Sequence, residues 1–402
     1  MLFWVCSLSL PCHTFLAAEI PEESLDRYIT NGAYGLQLGG TIVVARNLDT
    51  SYIPASTIKI LTALMALEIL GPEYRFATRF YADADKTLYI KGEGDPFFTS
   101  EAIAEIASRL KKAGIIEVGE IVIDDSAFSV NGPPPGSENT ANPYDAGSGA
   151  LAVNFNALPF VITQNNTVVS GEGQTPLLPI MSEIGSRFHK GSYRINVEAF
   201  PQKKEHSNTV RYCGELITSL FSLEGIRING SYRKGVTPPD ALPVLLYESE
   251  KTVAELVRLC LHYSSNFIAN QLYLSCGARI YGYPATWEKA WRMVRKYIDM
   301  RLPLVGNAIH MEDGSGLSRK NSVTPRAMLA VLNRFVPHAA LLRSQGNVFL
   351  KSGTLTGVYS YAGYFNTAGR LSPFVLFLNQ KKNTRRLLLS LLEKKYQTLS
   401  PY

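Results

Sequence analysis

The apolar positions of the chain are densest between Pro54 and Leu70, where they occupy nearly every face of a helix. Gly71-Pro72 ends this run. A helix that is apolar all round belongs in the middle of a domain, because each of its faces needs a neighbour. The pattern therefore predicts a buried central helix that starts at about Ser56.

A second helical region begins after Ser249, where apolar residues follow the i, i+3, i+4, i+7 spacing of an amphipathic helix. The pattern breaks at Tyr263-Ser264-Ser265-Asn266, and another helix is predicted to follow it. Thr286 and Thr324-Pro325 are expected to begin two more helices, since Thr is a good N-cap and Pro is favoured in the first turn. Three strand patterns and a short helix close the chain, at residues 349–355, 359–365, 374–378 and 385–395.

Residues 79–242 have a different texture, with short elements and many turns. An amphipathic helix is predicted from about Ser100 to Gly114, whereas residues 151–240 show strand-like runs, turns and little helix. A loop at residues 131–149 is rich in Gly, Pro, Asn and Ser, and long loops inside a compact chain are often functional. We therefore expect a β-rich insertion at residues 79–242 that forms one or two small domains.

Length and composition are those of an ordinary globular protein. The 402 residues suffice for one large domain with an insertion or for several domains, with 46% hydrophobic and 18% charged residues. The net charge of +6 is mild and spread along the chain, which fits work near anionic polymers or membrane surfaces. No nucleic-acid motif is present, so no nucleic-acid partner is predicted.

Residues 1–18 form an apolar run without charges that ends in Leu16-Ala17-Ala18. The run resembles a secretory signal peptide with a small-residue cleavage site, although the usual basic start is missing. It predicts export to the periplasm or another extracytoplasmic space. An uncleaved anchor and a buried first helix of a cytoplasmic protein are the alternatives.

The last helix pattern, from Arg385 to Lys395, places leucines beside basic residues. Such a helix could lie on a membrane surface, which would make the protein a peripheral membrane protein. We favour the other interpretation, in which the helix packs on the final strands of the chain.

Cysteine and histidine residues give no sign of a metal site or a disulfide framework. Beyond residue 18 the cysteines are Cys213, Cys260 and Cys276, an odd number that we interpret as small buried hydrophobic residues. The six histidines are dispersed and lack metal-ligand spacing. The sequence predicts no metal and no cofactor.

Ser56 and Lys59 lie three residues apart at the start of the predicted central helix, so their side chains share a face. The pair offers a hydroxyl nucleophile and an amine base, and burial favours the neutral amine. The same Ser-x-x-Lys spacing recurs at Ser108–Lys111 and Ser231–Lys234, in segments that we interpret as surface. Only the copy on the buried helix suggests serine acyl-transfer chemistry.

Two further motifs follow in the chain. Ser264-x-Asn266 lies between two predicted helices, and Lys351-Ser352-Gly353 lies on a predicted strand. Ser-x-Asn also occurs at Ser129 and Ser137 and is weak by itself. The order Ser-x-x-Lys, Ser-x-Asn, Lys-Ser-Gly resembles the penicillin-recognising serine transferases, which include penicillin-binding proteins and serine β-lactamases.

Longer stretches narrow this resemblance. They are PASTIK, LGPEYRF, GEGDPFF, VIDDSAF, VNFNAL, DGSGLSRKNSVTP and KSGTLTG, spread from about residue 20 to 380. Together they resemble the D-Ala-D-Ala carboxypeptidase/endopeptidase family of class C low-molecular-mass penicillin-binding proteins, the S13 peptidases. The resemblance implies an α/β (α+β) fold. A catalytic domain of helices on an antiparallel sheet would comprise residues 19–78 and 243–402, with the insertion between them.

The resemblance also implies roles for the motif residues. Ser56 would attack the carbonyl of the penultimate D-Ala of a peptidoglycan stem peptide, and Lys59 would take the hydroxyl proton. Ser264 and Lys351 would carry that proton to the leaving amine. Asn266 would bind the substrate amide or steady Lys59.

The strand of the third motif is expected to bind substrate. Ser352, Gly353 and Thr354 would line this binding site, with Ser352 and Thr354 holding the terminal carboxylate. Backbone N–H groups of Ser56 and Thr354 would hold the oxyanion. The family resemblance further implies that β-lactam antibiotics are covalent inhibitors.

Other interpretations remain open. A β-lactamase or esterase on the same scaffold would use the same motifs, and a non-catalytic cell-wall-binding protein would need none of their chemistry. Asp124 and Asp125 are adjacent on a predicted strand and should point to opposite faces, which argues against a joint acid/base role. Asp313, Ser315 and Gly316 match a family turn that we interpret as structural or cleft-lining.

Overall fold

The computed structural model describes residues 25–130, 132–202 and 207–400. The signal-like segment at residues 1–18 lies outside the described residues. The strands are, in chain order, β1 (Gly32–Leu38), β2 (Thr41–Arg46), β3 (Arg75–Ala82), β4 (Thr87–Gly92), β5 (Glu117–Val118), β6 (Glu120–Asp124), β7 (Ala157–Ile162), β8 (Val168–Ser170), β9 (Gly191–Asn196), β10 (Arg227–Ile228), β11 (Tyr232–Lys234), β12 (Leu242–Thr252), β13 (Ile309–His310), β14 (Ser322–Val323), β15 (Arg343–Gln345), β16 (Val348–Leu355), β17 (Val358–Thr367) and β18 (Arg370–Leu378).

Helices alternate with these strands along the chain. The α-helices are α1 (Lys59–Ile69), α2 (Ser100–Lys112), α3 (Pro179–Gly185), α4 (Asn208–Glu224), α5 (Val253–Tyr263), α6 (Asn266–Tyr281), α7 (Trp287–Arg301), α8 (Pro325–Phe335) and α9 (Arg385–Leu399). Thr286 and Thr324 cap α7 and α8 as predicted, each accepting a backbone N–H with its side-chain oxygen.

A six-stranded antiparallel sheet carries the third motif. Its strand order is β15-β16-β17-β18-β1-β2, so the hairpin of β1 and β2 pairs with the last strand of the chain. Strand β16 holds Lys351 next to Ala362 of β17. Segments from the two ends of the chain therefore build one sheet, as the fold class predicts.

Helix α1 is the buried central helix that the apolar run predicts. Every residue from Lys59 to Leu67 is buried. The helix packs against α5, α6 and α8, and the short 3₁₀ turn before it, Ala55–Ile58, contacts β16 and β17. This packing places the start of α1 between the helices and the sheet, where residues of all three motifs can meet.

A second, five-stranded sheet has the order β11-β6-β4-β3-β12. It has its own hydrophobic core, to which α2 and α4 contribute. The predicted domain boundaries at residues 78 and 243 fall in β3 and β12, which pair with each other along the sheet. The division into a catalytic domain and an insertion stays a prediction.

One expectation for the insertion is wrong. Residues 151–240 contain more helix than predicted, because α4 alone spans 17 residues of this segment. Ser207 caps α4, and Gly225 ends it with a φ of +90°. Its apolar residues recur at helical spacing, at Val210, Cys213, Leu216, Ile217 and Leu220, and all of them are buried. The signal was present in the sequence, but the surrounding strand-like runs obscured it.

The C-terminal helix α9 packs on the six-stranded sheet, which confirms the interpretation that we favoured. Leu388, Leu392 and Tyr396 are buried, and the ring of Tyr396 stacks on Phe365 of β17 with centroids 4.9 Å apart. Within the described residues, none of the helices combines the length and the apolar character needed to cross a membrane.

Candidate active site

Ser56 lies in the 3₁₀ turn that leads into α1, where it is half-buried. Strand β16 approaches this turn closely at Gly353. A Cβ atom at position 353 would lie 2.9 Å from the backbone nitrogen of Ser56 and 2.7 Å from the carbonyl oxygen of Pro54. A residue without a side chain is therefore needed there, and the close approach brings β16 to the nucleophile.

Lys59 is fully buried one turn after Ser56. Its Nζ atom lies 2.8 Å from Oγ of Ser56, 2.8 Å from Oδ1 of Asn266 and 2.5 Å from the backbone carbonyl oxygen of Ser315. The amide of Asn266 is oriented by its other end, since Nδ2 donates to the carbonyl oxygen of Tyr144 at 3.1 Å. The Lys59 amine is thus held at three points.

Burial lowers the pKa of Lys59 to about 8, and the Asp313 carboxylate works in the opposite direction. A neutral amine has two N–H donors and one lone pair. The carbonyl oxygens of Asn266 and Ser315 accept the two donors, so the lone pair is left for the hydroxyl proton of Ser56. The geometry therefore suits a base that takes a proton from Ser56.

Ser264 follows the last residue of α5 in the left-handed region, with φ +57° and ψ +34°. The chain turns there and starts α6 two residues later, with Ser265 as its N-cap. At the far end of α5, Thr252 and Glu255 form a capping box. The predicted break between two helices is confirmed, and it projects Ser264 toward β16.

Lys351 is 3% exposed, and its Nζ atom lies 2.9 Å from Oγ of Ser264 and 2.8 Å from the carbonyl oxygen of Ser352. Burial, with a smaller contribution from the positive charges of Lys59 and Arg385, lowers the pKa of Lys351 to about 7. Two buried amines close to each other cannot both carry a full charge at low cost.

The structure therefore brings the predicted catalytic residues into two hydrogen-bonded groups at one end of α1. Ser56, Lys59 and Asn266 form the first group, and Ser264 and Lys351 form the second. The thiol of Cys260 lies near both amines, and burial raises its pKa to about 11. A thiol with this pKa stays protonated and neutral at physiological pH.

The predicted substrate-binding residues follow on β16. Side chains alternate along a strand, so Ser352 and Thr354 share one face and Gly353 lies on the other. Ser352 is half-buried, and Thr354 is exposed. A cleft of about 790 Å³ runs past Ser56, Asn266 and Thr354. The predicted loop at residues 131–149 contributes to its wall, through residues that include Glu138 and Tyr144.

The turn at residues 312–321 closes another side of the cleft and is held together by Asp313. This carboxylate is fully buried and accepts hydrogen bonds from the backbone N–H of Ser315 at 3.0 Å, that of Ser318 at 3.2 Å and Nδ2 of Asn321 at 2.5 Å. The structural interpretation of this turn fits these contacts. The contact between the Ser315 carbonyl and Lys59 was not predicted, because a backbone carbonyl leaves no signature in the sequence.

The Ser231–Lys234 copy of the first motif lies on the surface, in agreement with our interpretation. Ser231 is exposed, and Lys234 forms an ion pair with Asp125 at 3.0 Å. Asp124 is buried and accepts from the backbone N–H groups of Ser126 and Thr237. The two adjacent aspartates thus have separate structural partners.

Among residues 25–130, 132–202 and 207–400, no group of His, Cys, Asp and Glu side chains could hold a metal ion. Cys213, Cys260 and Cys276 are free thiols in buried positions, as the sequence indicates.

Comparison with known proteins decides the family. The sequence matches the model of the D-Ala-D-Ala carboxypeptidase 3 (S13) family over residues 29–343, which include the first two motifs. The chain belongs to the D-Ala-D-Ala carboxypeptidase 3 (S13) family. The predicted family and enzyme class are confirmed for this S13 peptidase.

Similar proteins extend this match to the C-terminal part of the S13 peptidase. The D-alanyl-D-alanine carboxypeptidase DacB of Haemophilus influenzae is 26% identical over 423 aligned residues, covering 90% of this chain and 87% of that protein. The crystal structure of penicillin binding protein 4 (dacB) from Haemophilus influenzae is similar with a TM-score of 0.77 and 23% identity, over 95% of this chain and all of that one.

A second solved structure is more distant. It is the Bd3459 predatory endopeptidase from Bdellovibrio bacteriovorus, acylated by penicillin G and in complex with the immunity protein Bd3460. The TM-score is 0.53 and the identity 14%, over 92% of each chain. These structural matches confirm the predicted fold class.

Proposed function

We propose that this S13 peptidase removes the terminal D-Ala from peptidoglycan stem peptides through an acyl-enzyme on Ser56. The observation that carries the proposal is the buried amine of Lys59, 2.8 Å from the Ser56 hydroxyl and held by two carbonyl oxygens. This is the arrangement that a serine nucleophile needs, because the hydroxyl is weak until a neighbouring base takes its proton.

In the acylation step, Ser56 attacks the carbonyl carbon of the penultimate D-Ala while its proton moves to Lys59. Backbone N–H groups of Ser56 and Thr354 stabilise the oxyanion, and one such donor typically contributes about 10²–10³ in rate. The closeness of Gly353 to Ser56 supports this role, since it sets β16 beside the nucleophile.

Release of D-Ala needs a proton on the leaving amine. Lys351 and Ser264 are hydrogen-bonded to each other at 2.9 Å, which supports their role as the path for this proton. The pKa of Lys351 is about 7, so its amine exchanges protons readily near neutral pH. Water then hydrolyses the ester on Ser56 and frees the shortened peptide.

The terminal carboxylate is assigned to Ser352 and Thr354 on β16, with the protonated form of Lys351 supplying positive potential, because a bound carboxylate favours that form. Exposure of Thr354 at the cleft supports the assignment. The same site accounts for β-lactams as covalent inhibitors, which would acylate Ser56. The penicillin G acylated form of the Bdellovibrio endopeptidase supports this part of the proposal.

We infer that the protein works outside the cytoplasm, on peptidoglycan in the periplasm or an equivalent space. The signal-like segment at residues 1–18 and the D-alanyl-D-alanine carboxypeptidase names of relatives support this location. Peripheral membrane association would take place through α9, where Leu387 and Leu399 are exposed.

The test is release of D-Ala from a stem pentapeptide that ends in D-Ala-D-Ala. We expect Ser56→Ala to lower the rate by about 10⁴-fold or more, as for other serine nucleophiles. Ser231→Ala is the matched control, because Ser231 has the same spacing to a lysine on an exposed surface. Equal rates for wild type and Ser56→Ala would contradict the proposal.

A further inference from the structure

Arg385, the first residue of α9, reaches across to the strand that carries the third motif. Its Nη1 atom donates to the carbonyl oxygen of Gly353 at 2.6 Å and to Oγ1 of Thr354 at 2.7 Å. The guanidinium lies against two tyrosines of β17, with Cζ 4.9 Å from the ring centroid of Tyr361 and 6.0 Å from that of Tyr359. These contacts hold the side chain in one place.

No carboxylate of the described residues forms an ion pair with Arg385. Its charge nevertheless acts on the site, since it contributes to the lowered pKa of Lys351 after burial and Lys59. A fixed guanidinium whose charge no acidic side chain balances is well suited to an anionic group of a ligand.

The contact with Thr354 determines how its hydroxyl can act. A threonine hydroxyl has one hydrogen to donate and lone pairs that accept. Because a lone pair of Oγ1 takes the N–H of Arg385, the hydroxyl hydrogen has to point elsewhere. Thr354 lines the cleft, so this hydrogen is available to an acceptor bound there.

We propose that Arg385 is a positioning residue for the free carboxylate next to the scissile bond. It fixes the Thr354 hydroxyl as a donor toward that carboxylate and places a positive charge next to this hydroxyl. The inference rests on the proposed function, which assigns the carboxylate to Ser352 and Thr354, and it makes a residue of the last helix a determinant of substrate specificity.

Two ligands that differ only in this carboxylate test the role. Benzylpenicillin carries a free carboxylate, whereas its methyl ester lacks the charge, and both have a reactive β-lactam ring. The second-order rate constant for acylation of Ser56 is measured by intact-protein mass spectrometry for each compound. Wild type, Arg385→Ala, Arg385→Lys and Arg386→Ala are compared, each checked for an unchanged melting temperature.

We expect Arg385→Ala to slow acylation by benzylpenicillin by about 10- to 100-fold, the range of a lost charge-assisted hydrogen bond, and to slow acylation by the methyl ester much less. Arg385→Lys keeps the charge without the planar fork and should recover part of the rate. Arg386→Ala removes the neighbouring exposed cation and should change neither rate.

Two results would overturn the role of Arg385. One is equal slowing of both compounds by Arg385→Ala, which would indicate a general distortion of the site. The other is no slowing of either compound. A wild-type protein that neither compound acylates would instead contradict the proposed function, so the two failures are distinguishable.

Discussion

The Nζ atom of Lys59 lies 2.5 Å from the backbone carbonyl oxygen of Ser315, a residue 256 positions further along the chain. This contact ties the base at the start of α1 to the turn that Asp313 organises. The carbonyl oxygen of Ser315 accepts one N–H of Lys59, and Oδ1 of Asn266 accepts another. The lone pair of the Lys59 amine is therefore left for the hydroxyl proton of Ser56. Activation of the nucleophile thus depends on a backbone atom as well as on the motif residues.

The first prediction concerns pH. Acylation by penicillin requires neutral Lys59, whose pKa burial lowers to about 8. Below this pH the amine is mostly protonated, so the acylation rate constant should fall by about tenfold per pH unit as the pH drops, and it should level off above about pH 8. Rates measured from pH 6 to pH 9.5 test this, and a rate that does not rise between pH 6 and pH 8 would contradict Lys59 as the base.

The second prediction concerns Asp313→Asn. The carboxylate raises the pKa of Lys59, so its removal should lower this pKa and move the rise in acylation to lower pH. The turn also loses hydrogen bonds to its carboxylate acceptor, and the plateau rate should fall by about tenfold or more. The measurement is the same pH profile.

Glu312→Gln is the control for Asp313→Asn, because it removes the adjacent carboxylate and its ion pair with the exposed Lys320 but leaves the hydrogen bonds to Asp313 in place. Its pH profile should keep the midpoint of wild type. A midpoint unchanged in Asp313→Asn would show that this carboxylate does not act on Lys59.

The third prediction concerns Gly353→Ala. The new methyl group would lie 2.9 Å from the nitrogen of Ser56 and 2.7 Å from the carbonyl oxygen of Pro54, which is too close. Strand β16 would have to move away from the nucleophile, and misplacement of about 1 Å can lower a rate by about 10²-fold. Acylation kinetics together with a melting curve measure the effect.

Gly173→Ala makes the same chemical change in open space, since no atom lies within 4 Å of a Cβ at that position. It should leave acylation at the wild-type rate. If Gly353→Ala also acylates at the wild-type rate, the close approach of β16 to Ser56 does not matter for catalysis.

The fourth prediction concerns the capping box of α5, the helix that ends at Ser264. Thr252 accepts from the backbone N–H of Glu255, and the Glu255 side chain accepts from the N–H of Thr252. Thr252→Ala should lower the free energy of unfolding by about 1 kcal/mol, as for other N-caps. Thr252→Ser retains the hydroxyl and should lose little. Urea unfolding of both variants tests this, and equal losses would contradict the cap.

Much of the site was predictable because its chemistry lies in short motifs. Ser56 and Lys59 share one turn, and Ser264 with Asn266 sits at a helix break that polar residues marked. Resemblance to a family then joined these motifs with Lys351. The buried position of α1 could be predicted from the composition of its apolar run alone, since a helix that is apolar on all faces needs a neighbour on each of them.

The remaining features depend on contacts that no local pattern encodes. The Ser315 carbonyl is a partner of Lys59 only because the fold brings a distant turn to α1. Arg385 looked like part of a basic flank of the last helix, and its contact with Thr354 follows from how α9 packs on the sheet. Helix α4 was missed although its pattern was present, because strand-like segments dominate its surroundings.

The central claim is that Ser56 is the nucleophile, and intact-protein mass spectrometry over time with a penicillin tests it most directly. The account predicts that wild type gains the mass of one penicillin, that the adduct persists, and that it maps to the peptide containing Ser56. Ser56→Ala should gain no mass. An adduct that remains on Ser56→Ala, or its absence from folded wild type, would contradict the claim, and an adduct that disappears as the penicillin is consumed would indicate a β-lactamase instead.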